Sequence, residues 1–371
     1  MEEGTVYPDY RIHDFIEKDV VHSNTEINLN EKGGQIQPAS LDLRCGFGKR
    51  VWHIPYSSNP SGKNLLDLLE SKSTHSFLLD EKRFMHKQNV YIIELEEELN
   101  LPSGIFARSN PKSTTGRCDI HVRLLTENGQ SFDQVKEGYK GRLFLELVSN
   151  SFDLEMSPGF SLNQIRFYRE NDVLDQKSLR HLARGTPLLF DNNEDPLPRE
   201  SYVMDGATSL TLDLEPNDLG YKSREDAPKL DLSSEINSLP LSEYFESINL
   251  CEGGIVIIPD SFYLLKSRER SKIPEFYCAE MVDISTDIGE FRAHYAGYFD
   301  SGFDSISVLE VRNMSKTSIL LNKGQMISSL KFYEMVDKPK TLYGECKNSN
   351  YQGQSQVRPA KFFHNDLKKE G

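Results

Sequence analysis

The sequence matches itself. GYKGRLFLELVSN…SPGFSLNQIRFYRE (138–170) parallels GFDSISVLEVRN…NKGQMISSLKFYEM (302–335). Glu146 and Glu310 stand 164 positions apart, and the pairs Gly159/Gly324 and Phe167/Phe332 stand 165 apart. Upstream, VYIIELEEELNLPSGIFARSN (90–110) parallels FYLLKSRERSKIPEFYCAEMVD (262–283). Each reads as a strand, a charged stretch, an x-Pro step and a second strand. A strand pair, a Gly turn and a further strand, in one order at a nearly fixed offset, read as one fold written twice, with copies of about 150 residues. The 371 residues accommodate two domains at about 100–200 residues each.

Within each copy the apolar runs are short and broken by Gly, Pro and Asn. NVYIIEL (89–95), GIFARSN (104–110), GRLFLELV (141–148) and FSLNQIRFY (160–168) have strand lengths and closely spaced turn signals. This pattern predicts a mainly β chain, each copy a barrel or sandwich of short strands, with a few short helices. One helix is expected over Tyr10–Val21, where Ile12, Phe15, Ile16 and Val20 keep helical spacing. A second is expected at DQKSLRHLARG (175–185), closed by Gly185 with Pro187 beyond. The resulting division is a first repeat at 1–172, a helical and acidic connector at 173–226, and a second repeat at 227–371. Part of the connector, SYVMDGATSLTLDLE, has the composition of a strand.

Charge and cysteine usage narrow the function. A net charge of −14 argues against wrapping a nucleic-acid backbone, which needs a Lys/Arg field. It leaves room for a small anion held by a local cluster of cations and N–H groups. No run of about 18 apolar residues predicts a membrane span, and the start of the chain lacks the pattern of a signal peptide. The five cysteines are scattered, odd in number and free of C-x-x-C spacing. That argues against a disulfide framework or a structural zinc site, and suits a reducing cytoplasm.

Four segments carry candidate chemistry. Glu146 and Glu310 each interrupt an apolar strand, LFLELV and SVLEVR. A carboxylate there either faces a wet barrel surface, is paired, or serves as an acid/base in a pocket. RSNPKSTTGR (108–117) gathers two Arg, one Lys, hydroxyls and a Gly after a strand. It suits phosphate oxygens, or is an ordinary polar loop. FRAHYAGYFDSGF (291–303), with His294 and Asp300, reads as a slot for a flat base or as an aromatic hairpin packed on the core. QPASLDLRCG (37–46) is a strand in which Asp42 and Arg44 suggest a structural ion pair. The zinc-deaminase signature of H-x-E with P-C-x-x-C is absent from the sequence.

Together the segments resemble the dCTP deaminase and trimeric dUTPase superfamily, in its long tandem-repeat form. QPASLDLRCG resembles the N-terminal strand motif and ARSNPKSTTGR the phosphate loop. AGYFDSGF…VLEVRN…NKGQMISSLKF resembles the pyrimidine hairpin, catalytic strand and Gly-Gln strand. YGECKNSNYQGQ (343–354) resembles the closing segment. The resemblance implies two distorted, jelly-roll-like β-barrels, Mg²⁺ with the triphosphate, no zinc, assembly as a homo-oligomer such as a trimer, and dTTP as a feedback ligand. It implies deamination of dCTP to dUTP and ammonia, with Glu310 as general acid/base. Ala296 and Ser109 would orient the water, Arg108, Lys112 and Arg117 would hold phosphates, and His294, Asp300, Tyr351 and Gln354 would line or close the site. The phosphate loop departs from the family's R-S-S at Asn110, so Lys112 or Arg117 must supply the second cation.

The copies differ in complementary ways. Ile284-Ser285-Thr286 is expected to stand where the first copy has Arg108-Ser109-Asn110, and Lys136-Glu137-Gly138-Tyr139 where the second has Asp300-Ser301-Gly302-Phe303. This implies a composite site drawing phosphate contacts from the first copy and base contacts from the second. Glu146 is then vestigial or serves a second site. The alternatives are a dUTPase or bifunctional enzyme, with Asp300 activating water, and a non-catalytic nucleotide sensor.

Overall fold

The computed structural model describes residues 4–29, 34–57, 61–169, 173–282, 291–292, 295–345 and 349–367. The chain divides into two units. The first comprises Met1–Asn171, Lys229–Ser234 and Met335–Thr341; the second comprises Asp172–Pro228, Glu235–Glu334 and Leu342–Gly371. Both are mainly β with few short helices, as the spacing of apolar runs predicts.

In the first unit the strand Val90–Asn100 pairs antiparallel with Lys140–Ser149, Arg50–Ile54 and Val21–Ser23. A second sheet sets Asn163–Tyr168 between Leu41–Leu43 and Phe106–Pro111. The strand Val90–Asn100 runs straight through the charged stretch ELEEEL. Its acidic side chains are satisfied by distant residues, so they do not break the ladder. Glu94 meets Lys49 at 3.2 Å. Glu97 accepts from the backbone N–H of Arg44 at 2.8 Å and from its Nε at 2.7 Å. Burial pushes the Glu97 carboxyl above its ordinary range, against the opposing pull of the Arg44 amide and guanidinium. Asp42 pairs instead with Lys112, so the two charges of LDLR have separate partners.

The second unit repeats these details. Phe262–Lys272 pairs with Asp304–Asn313, and Met326–Glu334 lies between Tyr277–Val282 and Ala207–Asp213. Leu43 faces Asn163 in the first unit and Leu210 faces Ser328 in the second. The strand Ala207–Asp213 therefore takes the place that Leu41–Leu43 has in the first unit. The buried clasp recurs as well, with a hydroxyl in place of the guanidinium. Glu269 accepts from Thr211 N at 2.7 Å and from its Oγ1 at 2.5 Å. Gln88 and Asp260 occupy matching left-handed corners, φ 63° and 55°. Their amides donate to the carbonyls of Ser149 at 2.6 Å and Asn313 at 3.1 Å.

The first helix spans Asp9–Glu17 and stops short of the expected Val21. Asp19 turns left-handed at φ 58°. Asp19 N then donates to Ile16 O at 3.1 Å and Val20 N to Phe15 O at 2.8 Å, the paired bonds of a Schellman cap. The helix Gln176–Gly185 starts on Asp175, whose carboxylate accepts from Ser178 N at 2.7 Å. Among the described residues no helix is long and apolar enough to cross a membrane.

Candidate active site

Glu310 lies seven residues into the strand Asp304–Asn313 and is 2% exposed. Val308 and Ile306, on its face of the strand, are buried apolar residues. Opposite it in register is Leu264. A carboxylate placed among such groups needs donors. Tyr295 N and Ala296 N each donate to Glu310 Oε2 at 2.8 Å. Two amides thus hold one oxygen of the carboxylate. The Tyr295 ring packs on Phe262, with centroids 6.1 Å apart.

The segment 291–303 does not close on itself as a hairpin. Phe291–Arg292 pairs with Asp304–Asn313, whereas Tyr298–Phe299 pairs with Tyr277–Val282. Each end extends a sheet already present, and between them Tyr295 and Ala296 bring their amides to Glu310. His294 lies outside the described residues. Asp300 is buried in the turn leading into the strand, where its carbonyl accepts from Phe303 N at 3.1 Å. Gly302 in that turn has φ +86°, and a Cβ there would come 2.8 Å from Leu342 Cβ.

The C-terminal segment lies along the beginning of the same strand. Tyr351 and Gln354 are buried, and Gln354 Nε2 donates to Ile306 O at 2.8 Å. Asp304 N donates to Gln352 Oε1 at 3.1 Å. The second unit therefore brings together Glu310, Ala296, Asp300, Tyr351 and Gln354 on or beside one strand.

The first unit gathers the phosphate-loop residues. Arg108, half-buried, lies 5.8 Å from the centroid of Phe106 and 5.6 Å from that of Tyr168. Those two rings stack at 5.2 Å. A guanidinium against an aromatic face stays charged while its direction is restricted. Ser109 is buried, and its Oγ accepts from Asn163 Nδ2 at 2.9 Å. Lys112 is ion-paired with Asp42, and Arg117 is 4% exposed at the end of the short helix Ser113–Gly116. Glu146 is also 2% exposed, with the Ser57 hydroxyl 2.8 Å from both of its oxygens.

Strand register corrects one expected correspondence. Ala107 faces Phe167, and Ala279 faces Phe332. With Phe167 and Phe332 equivalent, Arg108-Ser109-Asn110 matches Glu280-Met281-Val282, and not Ile284-Ser285-Thr286, which lies outside the described residues. Glu280 thus stands at the position of Arg108, where it accepts from the Tyr333 hydroxyl at 3.2 Å. The sequence reading missed Tyr295, Asn163 and Ser57. Tyr295 acts through its amide, which leaves no signature in a sequence; Asn163 and Ser57 are ordinary residues whose roles depend on pairing across distant strands.

Comparison with known proteins places the chain in a family. Residues 3–171 match the family model for the 2'-deoxycytidine 5'-triphosphate deaminase N-terminal domain, and residues 175–363 match the model for its C-terminal domain. A protein of Methanobrevibacter smithii named "dCTP deaminase, dUMP-forming" is 33% identical over 118 residues, 31% of this chain and 61% of that protein. A "dCTP deaminase" of Haloarcula marismortui is 33% identical over 125 residues, 33% of this chain and 64% of that protein. The chain thus spans less than two thirds of the length of these two relatives. The crystal structure of 2'-deoxycytidine 5'-triphosphate deaminase from Agrobacterium tumefaciens superposes with a TM-score of 0.80 at 31% identity, covering 91% of this chain and 100% of that one. Two family models in tandem, and a full-length structural likeness at this identity, establish that the chain belongs to the 2'-deoxycytidine 5'-triphosphate deaminase family.

Proposed function

We propose that the protein hydrolyses dCTP to dUTP and ammonia without zinc, with Glu310 as general acid/base. The observation that carries this reading is the buried Glu310 carboxylate, oriented by the amides of Tyr295 and Ala296. Glu310 takes a proton from water as the oxygen attacks C4 of cytosine and delivers it to N3; it then moves the proton of the new C4 hydroxyl to the amine, which leaves as ammonia as the C4–N bond breaks and the C4 carbonyl forms. Ala296 and Ser109 orient the water, and Arg108, Lys112 and Arg117 neutralise the triphosphate. His294 and Asp300 contact the nucleotide, and Tyr351 and Gln354 close over it. Bound with the nucleotide, Mg²⁺ would supply neutralisation of phosphate charge beside Arg108, Lys112 and Arg117. Among the described residues no three His, Cys, Asp or Glu side chains gather as a metal cage. The protein is taken to act in the cytoplasm as a homo-oligomer, such as a trimer, with dTTP as a feedback ligand.

A second reading is a bifunctional enzyme that continues to dUMP, with Asp300 activating the second water. The name of the Methanobrevibacter smithii relative favours it. Incubation with Mg²⁺ and dCTP, followed by nucleotide chromatography and assays for ammonia and pyrophosphate, tests both. dUTP with ammonia alone supports the deaminase, and dUMP with pyrophosphate supports the bifunctional enzyme. Bound dCTP with neither product would leave a nucleotide sensor.

A further inference from the structure

The beginning of the strand that carries Glu310 is sewn to the C-terminal segment. Gly353 N donates to Asp304 O at 3.1 Å, and Ile306 N to Gln354 O at 3.3 Å. Gln352 and Gln354 add the side-chain bonds to Asp304 and Ile306 described above. On the strand side all of these use backbone atoms, so no strand side chain carries them. Ser305 differs. Its hydroxyl donates to Tyr351 O at 2.9 Å and accepts from Gln354 N at 2.9 Å. One side chain thus joins the two tail residues that the proposed function assigns to closing over substrate. Ser305 is 0% exposed, so water cannot readily replace its bonds. A hydroxyl offers one donor and two acceptor sites, and a single rotor satisfies both partners.

We propose that Ser305 is the positioning residue that fastens Tyr351 and Gln354 to the Glu310 strand and thereby sets the affinity for the nucleotide. The inference rests on the deaminase reading for its choice of ligand, and on the hydrogen bonds of Ser305 for its mechanism. Ser305 touches neither the proposed reacting atoms nor Glu310 in this account. Its loss frees the tail, so the cost falls on binding more than on the chemical step.

The test is steady-state kinetics with dCTP on the full-length wild type, Ser305→Ala and Ser305→Thr, with hydrogen exchange followed across residues 349–354. Ser305→Ala raises KM by about 10-fold or more, lowers kcat by less, and speeds exchange of the Gln354 amide. Ser305→Thr keeps the hydroxyl and recovers part of the affinity. Unchanged exchange in the alanine variant overturns the proposal, as does faster exchange with an unchanged KM. If Ser305→Ala does not fold, Ser305→Cys serves, since its thiol is a weak donor; wild-type KM in that variant also overturns it. If the wild type turns over no dCTP, the deaminase reading fails by itself. Calorimetric dCTP affinity then reads Ser305, and equal affinity in wild type and Ser305→Ala overturns its role.

Discussion

The backbone amide of Ala296 lies 2.8 Å from Glu310 Oε2, across 14 residues of sequence. This bond and its neighbour from Tyr295 hold the carboxylate without spending a side chain. Replacing Glu310 with Gln keeps an oxygen able to accept from both amides and removes the proton acceptor. Ammonia release from dCTP should fall about 10²–10⁴-fold while dCTP binding persists. Parallel ammonia assay and calorimetry check this, and near-normal turnover would remove Glu310 from its role.

Arg108 rests against Phe106 and Tyr168. A charge-assisted hydrogen bond to phosphate is worth enough that Arg108→Ala should weaken dCTP binding by about 10–100-fold. Arg108→Lys should recover only part of it, because an ammonium offers neither the fork nor the flat face. Titration of dCTP into these variants, each in the Glu310→Gln background to prevent turnover, measures the loss. Equal affinity would exclude Arg108 from the phosphate contacts.

Glu97 gives a pH dependence. Burial is the largest influence on it and raises its pKa above the ordinary 4.5. The folded state then holds the proton more tightly than the unfolded state. The associated stability is fully present below about pH 4.5 and is lost as pH rises through the raised value. Glu97→Gln cannot titrate. Its melting temperature relative to wild type should therefore shift in the variant's favour between about pH 4 and pH 8. A constant difference over that range would mean that folding leaves the Glu97 pKa unshifted, and a shift in favour of wild type would mean that Arg44 holds the folded carboxylate ionised.

Gly302 sits at φ +86°, where a Cβ would crowd Leu342 and Tyr343. Gly302→Ala should cost about 1–2 kcal/mol for the left-handed backbone alone, with the crowding added to it. Urea unfolding of the transition that includes the second unit measures it. The same substitution at Gly324, also left-handed at φ +77° but with open space around its Cβ position, should cost less.

The duplication was legible because apolar strands, Gly turns and the two strand glutamates recur at one offset. The helix Gln176–Gly185 was legible from its spacing and its Asp175 cap. The strand Val90–Asn100 was only half legible, since local composition disfavours ELEEEL in a strand and its partners Arg44 and Lys49 lie about 50 residues away in sequence. The match of Arg108 with Glu280 was hidden for a related reason. Similar residue types at 284–286 suggested one alignment, and only the ladder between Tyr277–Val282 and Met326–Glu334 fixes the register. The carboxylate of the site was visible in the sequence, whereas the amides that orient it were not.

The first unit is not one continuous stretch of chain. It includes Lys229–Ser234 and Met335–Thr341. Leu230–Asp231 runs parallel to Leu154–Met156, and Asp9 accepts from Lys340 N at 2.9 Å and Thr341 N at 3.0 Å. A gene cut after residue 171 would encode a first repeat lacking a strand and the caps of a buried aspartate, and the remaining piece would carry both as loose ends. Although the repeats look like separate inheritances, the polypeptide has interlaced them. The first repeat cannot be expressed from its own stretch of sequence without losing parts that the later chain supplies.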